Sequence, residues 1–294
     1  MGKPREESLA FGGQALIEGV MIRGKRHLVM SVRQPSGEIL TQTQEINSLT
    51  QRYRPLGLPF IRGIIALGET MYMGVKGIAF SANAALEEEE EEFTWKEWAI
   101  VIVLTVAMSS LFFVIPFLVT TFLNLTGVLF NLVEAGVRLA LFLGYMAVIS
   151  LWGEFKRVLQ YHGAEHKTIN AHEHGVDLTV ESVKEHSRLH RRCGTSFIFI
   201  VIIVSVLLFS VLPRAGFWPR LAYRVVLIPV LGAISYELLR FSARHENSIV
   251  IRTLTAPGVF FQRLTTKEPE DPMLEVAIEA VKEVIRLSSD DDTN

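Results

Sequence analysis

Four stretches of this chain stay apolar for the depth of a bilayer. Residues 98–123, WAIVIVLTVAMSSLFFVIPFLVTTFL, carry no charge. Residues 127–152 read GVLFNLVEAGV, then Arg138, then LALFLGYMAVISLW. Residues 197–212 (FIFIVIIVSVLLFSVL) and 222–239 (AYRVVLIPVLGAISYELL) complete the set. A spanning helix needs about 20 mostly apolar residues, so the pattern predicts four transmembrane helices. Arg224 and Glu237 fall near the ends of the last one, where long side chains reach the interface.

Other periods appear elsewhere. Residues 27–46 alternate on either side of Pro35-Ser36-Gly37, which predicts a β-hairpin. Before it stands FGGQALIEGVMIRG (11–24), whose glycines suit a backbone that approaches something closely. Residues 55–85 are apolar and rich in small side chains but carry Arg62, Glu69 and Lys76. That mixture reads as an amphipathic or re-entrant helix at the membrane surface; a fifth span would have to bury three charges. The glutamate run 87–92 reads as a solvated linker. Asp271-Pro272 opens a final helix, with Asp271 at the N-cap and Leu274, Ala277, Ile278, Val281, Val284 and Ile285 at helical spacing. The expected fold class is mainly α, a polytopic membrane protein with a small α+β cytoplasmic body containing the hairpin. In order come the glycine motif and hairpin (1–54), the interfacial helix and acidic linker (55–97) and helices 1–2 (98–152). A His/Cys-rich loop (153–196), helices 3–4 (197–240) and the tail (241–294) follow.

Charge sets the orientation. Segment 153–196 holds Lys156, Arg157, Lys167, Lys184, Arg188, Arg191 and Arg192. The links at 124–138 and 213–221 hold only Arg138, and Arg214 with Arg220. Positive-inside logic places 153–196 in the cytoplasm, with both termini beside it. The start, MGKPREESLAFGGQ, lacks the apolar core of a signal peptide. A formal charge of −2 without a basic stripe argues against nucleic acid as a partner. The lone cysteine, Cys193, rules out an intrachain disulfide and fits a reducing compartment.

Candidate chemistry concentrates in that cytoplasmic segment. His162-Gly-Ala-Glu165-His166 has the spacing H-x-x-E-H. On a helix the two imidazoles share one face and can grip one ion, while Glu165 reaches the same place as general base. His186, His190 and Cys193 stand at offsets that share a face on a second helix, and thiolate with imidazole suits zinc. His162, His166, His190 and Cys193 are therefore the expected ligands of a divalent metal, most simply zinc. Four ligands would close the site and make it structural; three would leave a position for catalysis. Glu173 is a further carboxylate that could ligate, while His172 and His174 read as solvent-facing. Arg23, Glu18 and Lys167 are the candidate substrate-binding residues, Glu18 with the alternative of pairing inside its turn.

GGQALIEGVMIRG, YHGAEHK, HRRCGTSF and LTTKEPEDPMLEVAI together resemble the YqhQ-like family of bacterial membrane proteins, over nearly the whole chain. That resemblance implies an inner-membrane protein of unknown function with a suspected metal-dependent activity. The family's cysteine motif usually has proline where this chain has Arg191, a departure that would leave a helix unbroken from His190 to Cys193. The leading expectation is a metal-dependent hydrolase at the cytoplasmic face, acting on a membrane-associated substrate such as a lipid head group or peptide. The alternative is a scaffold or assembly factor whose zinc staples the loop and whose partner is a protein. Transport is a third class. The first and third spans offer only hydroxyls such as Thr105, Thr120 and Ser205, from which only a homo-oligomer could build a pore.

Overall fold

The computed structural model describes residues 11–86, 94–191, 193–213, 215–245 and 248–293. The acidic run 87–92 lies outside them. The chain is mainly helical, with one four-stranded antiparallel sheet near its start. Strands β1 (Gly12–Leu16), β2 (Gly19–Arg23), β3 (His27–Arg33) and β4 (Ile39–Glu45) follow one another as a meander. The predicted hairpin is β3–β4. The glycine motif is itself a second hairpin, β1–β2, turning at Glu18 with φ 52°.

Alternation along the strands decides what each face of the sheet meets. Val20, Ile22 and Val29 pack with Tyr161, Ala164 and the final helix. Met21, Leu28, Met30 and Val32 point the other way, onto Phe80 and Ala84. The sheet is thus a middle layer. On one side lie α5 (Gly153–Glu173), the short α6 (Val180–Lys184) and α11 (Asp271–Thr293); on the other lies α2 (Ile61–Leu86), which follows the single-turn α1 (Leu49–Arg52). Leu274, Ala277, Val281 and Val284 of α11 are fully enclosed, as their spacing predicts, and Val276, outside that stripe, is enclosed as well. Each of the leucine and valine side chains contributes about 1.5–3 kcal/mol. The exposed ion pair between Arg33 and Glu275 across the same contact contributes at most about 1 kcal/mol, so apolar burial holds this body together. Asp271 is the first helical residue rather than a cap, and its carboxylate takes Lys184 Nζ instead.

Among the described residues, two helices are long and apolar enough to cross a membrane: α3 (Trp95–Phe122) and α4 (Gly127–Ile149). α3 begins at a capping box in which Thr94 and Glu97 satisfy each other's backbone N–H groups. The other two predicted spans differ from expectation. α7 (Thr195–Ser210) has 16 residues, about 24 Å of rise against about 30 Å of hydrocarbon. The last is a bent pair, α8 (Phe217–Val226) and α9 (Ile228–Arg244), broken by 46° just before Pro229. Counted as one span, that pair raises the number from two to three. α2 is one unbroken helix that joins the two halves of the molecule. Its first turns pack on α9, where Arg62 pairs with Glu237, and its last turns cover the sheet. α10 (Ile249–Thr265), absent from the sequence reading, packs along α7 and ends beside α5.

Candidate metal centre

α5 carries the H-x-x-E-H motif as a helix, with His162 and His166 one turn apart and their ring centroids separated by 4.4 Å. Each ring is oriented from behind. The Thr265 carbonyl at the end of α10 accepts from His162 Nδ1 at 2.8 Å, and the Arg188 carbonyl accepts from His166 Nδ1 at 2.7 Å. A carbonyl can only accept, so both protons sit on Nδ1 and both Nε2 lone pairs are left for a ligand. Cys193 Sγ lies 3.3 Å from His162 Nε2. The nitrogens of His162 and His166 and the sulfur of Cys193 all fall within 4.8 Å of one another. Ligands around a tetrahedral zinc stand about 3.3–3.8 Å apart, so the trio needs only a small contraction to hold one. Backbone carbonyls behind ligating histidines are the usual outer support of such a site.

The sulfur itself is held as an acceptor. The Thr195 N–H at 3.5 Å and the Thr195 hydroxyl at 3.3 Å both point at Cys193 Sγ. Burial lowers the His166 pKa, which keeps the ring neutral and able to ligate. Glu165 is 4% exposed, and its carboxylate stands 4.0 Å from His162 Nε2. Desolvation raises its pKa; His162 and His190 pull the other way. An ionised carboxylate so enclosed is costly unless a cation is near, and a divalent ion in the trio would supply one. The donor set therefore fits a metal.

The remaining expected residues are placed as follows. His190 is buried beside the trio, its ring 5.7 Å from that of His166, but its Nε2 faces the Glu173 carboxylate at 3.3 Å. His186 turns instead to the Ser182 carbonyl and the ring of His174, and His172 packs on Phe11. Residues 185–191, Cys193 and Gly194 are not helical, which corrects the single-face expectation for His186, His190 and Cys193. Tertiary hydrogen bonds have taken the backbone there. Asn170 Nδ2 donates to the carbonyls of Ser187 and Leu189, and Gln262 clamps His190 through both its N–H and its carbonyl at 2.7 Å. Lys167 is buried and donates to the Lys184 carbonyl while pairing with Glu268 at 2.6 Å. Glu18 is gripped by Arg157 at 2.6 Å, which holds its carboxyl below the usual range. Arg23 shares the strand parity of Met21 and so falls on the α2 side of the sheet.

Two glycines fix the site by what they lack. A Cβ on Gly13 would lie 2.2 Å from Glu165 Oε1, so the glycine motif approaches the candidate base itself. A Cβ on Gly163 would lie 2.0 Å from the Lys267 carbonyl oxygen. Gly163→Ala must therefore push residues 265–267 away and draw the Thr265 carbonyl off His162. The expected cost is about 1–3 kcal/mol of stability and a 10- to 100-fold weaker zinc affinity, approximately. Zinc titration with a chromophoric chelator measures the second effect, and an unchanged affinity would show that this carbonyl does not orient His162.

Comparison with known proteins places the chain. Residues 58–287 match the family described as "Protein of unknown function (DUF1385)". The chain belongs to that family. It is also 38% identical to the "Uncharacterized protein YqhQ" of Bacillus subtilis (strain 168), over 95% of this chain and 93% of that one. No solved structure matches. The DUF1385 stretch contains α5, residues 185–194 and α10, so every donor of the trio lies within it, whereas the sheet that presses Gly13 against Glu165 precedes it.

Proposed function

We propose that this DUF1385 protein is a metal-dependent hydrolase at the cytoplasmic face of the bacterial inner membrane, acting on a membrane-associated substrate. The convergence of His162, His166 and Cys193, from two stretches of sequence, around one point beside a buried carboxylate carries this reading. Three donors leave a tetrahedral ion one open position. Zinc, when bound, supplies Lewis acidity that brings water close to ionisation at neutral pH. His162 and His166 would hold the ion through Nε2, because their Nδ1 protons are donated to the Thr265 and Arg188 carbonyls. Glu165 receives the proton of the attacking water on its carboxylate, and burial raises its pKa toward the range where a base can also return that proton. His166 and Glu165 are buried, whereas His162 and Cys193 are partly exposed, which leaves the open position a side from which substrate and water can approach.

One observation favours a second reading. The trio and its supporting carbonyls stitch α5, Arg188, Cys193 and the end of α10 together, as a structural zinc in a scaffold would. Glu165→Gln separates the two, because it preserves the shape of the side chain and removes the base. The hydrolase reading expects zinc content to stay and the substrate to accumulate. Lipid and peptide extracts are to be compared from cells lacking the gene, complemented with wild type, and complemented with the variant. Accumulation in the first and third but not the second supports the enzyme; wild-type extracts from the variant leave the scaffold.

A further inference from the structure

A second buried polar centre lies at the end of α4 remote from the trio. α5 follows the C-terminus of α4, whereas Asn131 and Glu134 lie in its first half and Arg138 at its midpoint. Ser205, which contacts Arg138, stands ten residues beyond the start of α7 at Thr195, about 15 Å of helical rise away from Cys193. Glu134 accepts from Arg224 Nε at 2.9 Å and from Arg138 at 3.0 Å. Arg138 also donates to Ser205 at 2.9 Å and to the Phe112 carbonyl at 3.2 Å. That carbonyl is the one Pro116 leaves without a helical donor. So Arg138 and Arg224 have structural work, and Glu134 balances one of them.

Arg220 has no such work. Its guanidinium lies 4.0 Å from the Phe130 ring centroid and 5.5 Å from that of Phe117. Arg224 stacks on the same two rings at 5.3 and 4.7 Å. Among the described residues, Arg220's side chain has no hydrogen-bond or ion-pair partner. The aromatic faces stabilise a cation but bring no countercharge. Three guanidinium groups thus share one carboxylate among helices read as membrane-embedded, where uncompensated charge is costly. Arg220 is half-buried, so the excess opens outward, and Trp218 beside it is 74% exposed, as a tryptophan at the head-group level would be.

We propose that Arg220, backed by Arg138 and Arg224, binds the phosphate group of an anionic ligand at this end of the helices. An arginine fork with free N–H groups matches phosphate, and a membrane offers phosphate at that depth in its lipid head groups. The inference concerns neither the metal nor the hydrolase reading, and it stands or falls separately from both.

Native mass spectrometry of the full-length detergent-solubilised chain tests it, with phosphatidylglycerol, diacylglycerol and inorganic phosphate as probes. The expected result is one phosphatidylglycerol per chain, no retained diacylglycerol, and about tenfold weaker retention in Arg220→Gln. Arg220→Lys, which keeps the charge, should hold the lipid within about threefold of wild type. If equimolar inorganic phosphate displaces the lipid, the natural ligand is a free anion; if it does not, it is a lipid head group. Equal retention by wild type and Arg220→Gln overturns the proposal. So does equal retention of diacylglycerol, or an equal loss in the glutamine and lysine variants, which would mean that only the stack on Phe130 matters.

Discussion

Changing His162 and His166 together to alanine is expected to abolish metal retention. Wild-type protein purified without chelator should carry about one divalent ion per chain, and the double variant less than about a tenth of that. Both Nε2 donors disappear, and the Cys193 sulfur alone cannot hold an ion. Neither substitution touches the apolar packing of α11 on the sheet, so the variant should remain folded enough to purify. Elemental analysis after gel filtration reads the result. Equal metal in the two proteins, at any level, ends the metal-centre reading and the hydrolase with it.

Glu134→Ala should be the costliest single change among the apolar helices, at about 3–5 kcal/mol. The carboxylate is nearly inaccessible, as are its partners Arg138 and Arg224, so its loss strands two buried cations. Removing Glu237 from Arg62 is the comparison, because that pair is about a fifth exposed and water can replace the lost partner. Thermal unfolding in detergent should place Glu134→Ala well below Glu237→Ala, with zinc content unchanged in both. Coincident transitions would mean that the buried network contributes no more than a partly solvated pair.

Much of this was legible in the chain. The α11 stripe and the β3–β4 hairpin follow from period, because one face of each must find apolar surroundings, and α3 and α4 follow from the length of their apolar runs. The pairing of His162 with His166 needed only helical spacing. Cys193 was identified, but its geometry was not. The spacing of His186, His190 and Cys193 suggested a helix, whereas Asn170, His166 and Gln262 capture that backbone from other elements. No local pattern announces such long-range bonds. Gln262 and Thr265 went unnoticed as site residues, although Thr265 sits in the LTTKEPEDP stretch and Gln262 two residues before it. Lys167 looked like a substrate clamp because a lysine beside a metal motif suggests anion binding, yet Glu268 already occupies it.

By itself the sequence determined the type of the strongly patterned elements, the longest apolar helices, and the residue types able to ligate, since all three depend on neighbours within a few turns. The tertiary fold decided which ligands meet. It set His190 against Glu173 rather than among the trio, and supplied the Thr265 carbonyl from 103 residues away. It also gathered Glu134, Arg138 and Arg224 into one network, a group that hydropathy treats as three separate blemishes. The reason is energetic. A buried polar atom must be satisfied by whatever comes within about 3 Å, and only chain closure determines what that is.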